Sequence, residues 1–156
     1  MDLQKNEQEA QTVYTVKSLK EQMDEIPAVE LLGLDDAVLK SNGEVEFIMP
    51  VREEHTNTYG IIHGGVLVTL LDTAMGYACH CANNNIPTVT LNITSSFIGN
   101  CKPGSVTTTI GRVVHAGRRT MVAEGTIHDE TGKLLCTGQG TFFVKGENKT
   151  ANLTKN

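Results

Sequence analysis

With 156 residues and a net charge of −5, the chain has the length of one domain able to bury its own core, and its acidic balance argues against nucleic acid or an anionic membrane surface as its partner. A composition of 39% hydrophobic and 20% charged residues is that of a soluble globular protein and excludes a disordered or fibrous one. No apolar run reads as a bilayer span, and the polar start MDLQKNEQEAQTVYTV lacks the marks of a secretion signal, so a cytoplasmic protein with four reduced cysteines (Cys79, Cys81, Cys101, Cys136) is expected.

Residues 1–17 are polar and patternless and are expected to be flexible. Ser18 as N-cap and Leu19, Met23 and Ile26 at i, i+4, i+7 predict a short amphipathic helix that Pro27 interrupts, too poor in apolar residues to do more than cap a larger body. A hairpin follows, with arms 33–40 and 44–51 around Ser41-Asn42-Gly43; in its second arm Val45, Phe47 and Met49 share one face. Residues 52–62 have no periodicity and read as a loop, with His55 at the surface.

From Gly64 to about His80, Val66, Leu67, Leu70, Leu71, Ala74, Tyr77 and Ala78 form a broad apolar stripe at helical spacing. Steps of about 100° put Asp72 nearly opposite that stripe, beside Val68, Thr69 and Gly76. This second face also carries Met75 and Cys79 and is expected to meet another subunit. The remainder reads as strands over 88–97, 104–115, 119–128 and 133–144, the last three joined by tight turns into a meander. In the first of these, Val89, Leu91 and Ile93 alternate with Thr88, Thr90, Asn92 and Thr94. One helix cannot cover both faces of such a sheet, so an α+β architecture follows in which the sheet wraps around the helix. Cys79-His80-Cys81 does not suit a metal, because helical neighbours point in different directions.

Two features of the stretch NTYGIIHGGVLVTLLDTAMG, residues 57–76, carry chemistry. Gly64-Gly65 ahead of an apolar helix leaves bare N–H groups at its positive end, suited to a developing negative charge. Asp72, ionised among Leu and Ala, is costly unless it is used or paired. The structural alternative is a helix Asp bonded to a neighbour.

Asn57, His63-Gly64-Gly65 and Asp72 at this spacing, with the VTLNIT and GKLLCTGQGTFFV strands, make the chain over about residues 33–145 resemble the hotdog-fold acyl-CoA thioesterases of the phenylacetic-acid-degradation (PaaI-like) type. The resemblance implies one hotdog domain over residues 18–145 between flexible ends 1–17 and 146–156. It implies hydrolysis of an aryl- or fatty-acyl-CoA to free acid and CoA, with coenzyme A present only as part of the substrate and no cofactor or metal. By the same resemblance Asp72 is general base or nucleophile, Gly64 offers its N–H to the thioester carbonyl, Asn57 and His63 hold substrate or water, and Thr88 orients the water. The site would lie across a homo-oligomer, a dimer or a dimer of dimers, with the loop of one subunit facing Asp72 of another.

Gly65, Ile62 and Val68 are expected at the substrate beside these residues, with Ile61, Met75 and Phe97 as further pocket candidates. Arg118 and Arg119, on a predicted turn, and Lys102 suit CoA phosphates by residue type alone. Two other functions fit less well: a hotdog dehydratase or hydratase, whose His serves as base, and a non-catalytic acyl-CoA-binding module, against which the presence of Asp72 argues.

Overall fold

The computed structural model describes Leu19 and residues 21–146. Residues 21–24 are helical and α1 (Pro27–Leu32) follows directly. Pro27 opens this second helix instead of merely interrupting the first, because the first helical position needs no N–H. Ser18, the expected N-cap, lies outside the described residues. Gly33 closes α1 in the left-handed region, φ 64°, with its N–H donating to the carbonyls of Val29 and Glu30.

Six antiparallel strands make one sheet: β1 (Asp36–Leu39), β2 (Val45–Pro50), β3 (Thr88–Phe97), β4 (Val106–Ala116), β5 (Thr120–Asp129) and β6 (Leu134–Val144), in the order β1-β2-β4-β5-β6-β3. Val45, Phe47 and Met49 are buried as the alternation predicts. The meander β4-β5-β6 is also as predicted, and β3 joins it on the far side of β6. α2 (Gly64–Ala82) lies against this sheet with Leu67, Leu70, Leu71, Ala74, Met75, Ala78 and Cys79 buried.

Met75 and Cys79 were expected on the face opposite the stripe, yet both are fully buried. The cause is a row of glycines. Gly111, Gly125 and Gly138 stand side by side on β4, β5 and β6, in register. A Cβ on Gly111 would come within 2.5 Å of the Ala74 backbone, and one on Gly125 or Gly138 within 2.8 or 3.0 Å of the Leu71 methyls. With no side chains there, α2 settles onto the sheet backbone and a wider sector of it is enclosed. Contrary to the expectation from the sequence, α2 is long and apolar enough to cross a membrane by length and composition alone; its apolar side is used on the sheet.

β3 departs from its predicted alternation. Val89 and Leu91 are 49% and 60% exposed, whereas Ile93 packs against the core. A bulge between Thr90 and Asn92 shifts the register against β6 and inverts the parity of the strand. Thr88 and Thr90 before the bulge and Ile93 after it therefore share the helix side.

Candidate active site

α2 begins where the backbone of His63 is still extended, φ −72° and ψ 136°. The His63 ring folds back so that Nδ1 accepts the Gly65 N–H at 2.8 Å, and the His63 carbonyl accepts the N–H groups of Val66 and Leu67. A Cβ on Gly65 would stand 3.0 Å from His63 Nδ1, so glycine at 65 lets the imidazole cap the helix. Of the first N–H groups of the helix, only that of Gly64 is left without a partner among the described residues. The Phe97 ring lies over it: a Cβ on Gly64 would be 3.3 Å from Phe97 Cε1.

The loop before the helix is a closed turn. Thr56 and Ile62 form an antiparallel bridge, Asn57 and Ile61 are joined by a backbone bond, and Asn57 Oδ1 accepts the Tyr59 N–H at 2.9 Å. This leaves the Asn57 side-chain amide NH2 without a partner among the described residues. Ile62 is buried and joins the core, its N–H donating to the Cys101 carbonyl.

Eight residues on, Asp72 is half-buried. Thr90 Oγ1 donates to Asp72 Oδ1 at 2.7 Å, and Oδ2 has no hydrogen bond to any described residue. Asp72 opens onto a cleft of about 360 Å³ lined by Thr73, Gly76, Tyr77, His80, Thr88, Thr90, Phe142 and the ends of Ile26 and Pro87. Thr88, the hydroxyl singled out in the sequence, lines the same cleft, but its Oγ1 donates to the Gly76 carbonyl at 3.2 Å. Sequence reasoning missed Thr90. In a strand both threonines fall on one face, and nothing in the spacing distinguishes the one that meets the carboxylate.

Along the cleft lining, Tyr77 and His80 meet edge to face with centroids 5.6 Å apart, and His80 Nδ1 lies 3.2 Å from the Ile86 carbonyl. Burial first, then the neighbouring Cys81 and Glu25, push the Tyr77 hydroxyl above its ordinary value, so it stays a neutral donor. Burial likewise pushes the Cys79 and Cys101 thiols up to about 11, which leaves them protonated and poorly nucleophilic.

The structure thus forms two groups. His63, Gly64, Gly65 and Asn57 gather at the start of α2; Asp72, Thr88 and Thr90 gather two turns along, about 12 Å further down the axis. Val68 is half-buried between them on α2. β3 runs back along α2 and touches both groups, through Thr90 at Asp72 and Phe97 at Gly64. Arg118 and Arg119 are exposed on the β4–β5 turn, at the Thr88 end of the sheet and outside the cleft lining: the Arg119 carbonyl accepts from Val144, which pairs with Thr88.

Known proteins share this arrangement of elements. Residues 59–136 match the thioesterase superfamily. Human acyl-coenzyme A thioesterase 13 is 30% identical over 112 residues, which cover 71% of this chain and 80% of that protein. The PaaI protein from the phenylacetic acid degradation operon of E. coli is 25% identical, with a TM-score of 0.74 over 84% of this chain and 93% of its own. A hypothetical thioesterase from Streptococcus pneumoniae, solved with coenzyme A, is 30% identical, with a TM-score of 0.65 over 73% and 88%. The chain belongs to the thioesterase superfamily, as a hotdog-fold member of the PaaI-like kind.

Proposed function

We propose that the protein hydrolyses an aryl- or fatty-acyl-CoA thioester to the free acid and CoA, with Asp72 driving the attack and the Gly64 N–H receiving the carbonyl oxygen. The observation that carries this reading is the Asp72 carboxylate, held on one oxygen by Thr90 and open to the cleft on the other. The human relative named for acyl-CoA hydrolysis and the streptococcal neighbour solved with coenzyme A support the substrate class.

A thioester carbonyl is already electrophilic and asks for two aids. One is a donor for the oxyanion, worth about two to three orders of magnitude in rate. The unpartnered Gly64 N–H at the positive end of α2 has the right chemistry. The other is an activated nucleophile. Asp72 takes a proton from water, whose oxygen then bonds to the carbonyl carbon, or bonds to that carbon itself to form an anhydride that water opens. In both routes the C–S bond breaks and CoA leaves as a thiolate that picks up a proton. The Thr90 hydroxyl fixes the carboxylate, and the water is then left to Thr88 and Asn57. With Nδ1 already accepting from Gly65, His63 presents Nε2–H as a donor to the substrate. Arg118 and Arg119, exposed on the turn at the Thr88 end of the sheet, take the CoA phosphates.

Gly64 and Asp72 of one chain are too far apart to serve one carbonyl, so the working unit is a homo-oligomer. Two copies of β3 pairing edge to edge, with the two-fold axis passing near Val68, bring Gly64 of one subunit beside Asp72 of the other. The apolar residues exposed along that edge, Val89, Leu91, Phe97 and Ile98, supply the contact. The test is thiol release from a panel of aryl- and fatty-acyl-CoAs by wild type and Asp72→Ala, together with the mass in solution. Turnover undiminished in the variant, or an active monomer, would refute the shared site.

A further inference from the structure

The turn leading into α2 holds a histidine that the hydrolysis just described does not use. His55 ends a short 3-10 turn, Glu53–His55, and is 3% exposed, although its place in an unpatterned loop suggested the surface. The turn curls the ring back under Arg52, so that His55 Nδ1 accepts the Arg52 N–H at 3.1 Å. Its carbonyl accepts the His63 N–H at 2.8 Å. Its Nε2 is buried with no close hydrogen-bond partner among the described residues, the Leu32 carbonyl facing it on that side. Since Nδ1 accepts, the proton of the neutral ring is on Nε2, and a buried donor left without a close acceptor lowers stability. A buried, half-satisfied imidazole is a poor choice for stability alone.

The position of His55 gives the reason for it. On one side Arg52 Nη2 reaches the Leu32 carbonyl at the end of α1, at 3.3 Å, through the space left by Gly33, where a Cβ would overlap the guanidinium. On the other side His55 holds His63, and the His63 ring caps Gly65, which leaves the Gly64 N–H bare between them. A continuous line of contacts therefore runs from α1 through Arg52 and His55 to the start of α2. We propose that His55 is a positioning residue for hydrolysis: its ring fixes the 53–55 turn, and its carbonyl, through the His63 N–H, sets the direction of the His63 ring and the Gly64 N–H.

This inference rests on the reading of Gly64 as oxyanion donor. It requires the neutral ring, because a proton on Nδ1 would displace the Arg52 N–H. The charged groups facing it are Arg52 and Glu54 on its own turn; α1 contributes the Leu32 carbonyl, and the start of α2 only the His63 N–H.

The test compares wild type, His55→Phe and His55→Asn in thiol-release kinetics and thermal melts, with Asp72→Ala alongside. His55→Phe fills the space without an acceptor; a misaimed donor lowers kcat about 10- to 100-fold while KM stays within about threefold. His55→Asn keeps an acceptor at the δ1 position and restores kcat to within about fivefold of wild type. A purely structural histidine would lower the melting midpoint and leave kcat per folded enzyme unchanged. A His55→Phe kcat within about twofold of wild type overturns the proposal, and so does His55→Asn performing no better than His55→Phe. If His55→Phe does not fold, His55→Gln, which moves the acceptor one bond outward, replaces it with the same two outcomes. Full turnover in Asp72→Ala would bring down the underlying site reading instead, whatever the His55 variants do.

Discussion

The two sides of α2 are built on opposite principles. The side on the sheet is closed: Leu70, Leu71, Ala74, Met75 and Ala78 have no exposure, and the glycine row beneath them brings helix and strand backbones together. The side toward β3 is open: Asp72, Thr73, Gly76 and Tyr77 are half-buried along a cleft. Polarity divides in the same way. Between Asp72 and Lys102 there is no Asp, Glu, Lys or Arg, so the second half of α2 and the whole of β3 carry no charge, and the one carboxylate stands at the boundary. Close packing gives the first side its stability; the second is left unfilled, open to the substrate and second subunit proposed above. The difference predicts that stability and turnover respond to different residues.

The largest effect belongs to the open side. Asp72→Asn keeps size and shape, and it should lower kcat/KM by about three orders of magnitude, close to 4 kcal/mol of barrier, while the melting midpoint stays the same or rises. A large loss of midpoint would mean that Asp72 is a structural helix residue. On the closed side the pattern reverses. Gly111→Ala drives a methyl against the Ala74 backbone, which cannot move as a side chain does, at a cost of about 3 kcal/mol. For a chain of this size that is about 6 to 12 °C of midpoint, with kcat per folded enzyme retained.

Thr90→Val tests the boundary between the sides. The isosteric change removes the donor to Asp72 Oδ1 and leaves a half-open site, so kcat should fall about tenfold, near 1.4 kcal/mol, with less than about 1 kcal/mol of stability lost. Thr88→Val, whose hydroxyl bonds the Gly76 carbonyl, serves as the comparison in the same kinetic assay. A loss from Thr88→Val with none from Thr90→Val would mean that the water, and not the carboxylate, is what this strand orients.

What the sequence made legible follows these same contrasts. The long helix, the hairpins and the meander were readable because periods of 3.6 and 2 leave strong marks over ten residues, and the isolation of Asp72 from the stripe was visible in the same way. The helix start at Gly64 was readable because a glycine pair stands directly before the apolar run. Met75 and Cys79 were misplaced because the width of the buried sector depends on how deeply the helix sinks, and that is set by three glycines on three separate strands. The exposure of Val89 and Leu91 was hidden by a bulge, which adds one residue to a strand without changing its composition, and Thr90 by sharing its face with Thr88. His55 was read as surface because its burial comes from a turn that bonds to α1, a contact between segments with no shared pattern.

The smallest effect lies at the start of α2, between the two sides. Burial first, then the nearby Arg52 charge, lower the pKa of His55 from the ordinary 6.5, with Glu54 and the Leu32 carbonyl pulling weakly the other way. Between the lowered folded value and 6.5 the unfolded chain binds more protons than the folded one, so stability rises with pH across that window. The contribution of His55 is therefore complete above about pH 6.5 and is lost as the pH falls through the folded value. His55→Asn has no such proton to bind. The melting midpoint of wild type minus that of His55→Asn should be constant above about pH 6.5 and shrink on acidification. A difference that stays flat to pH 5, or widens, would mean that the folded ring accepts its proton as readily as the unfolded chain does, and that neither Arg52 nor burial holds it neutral.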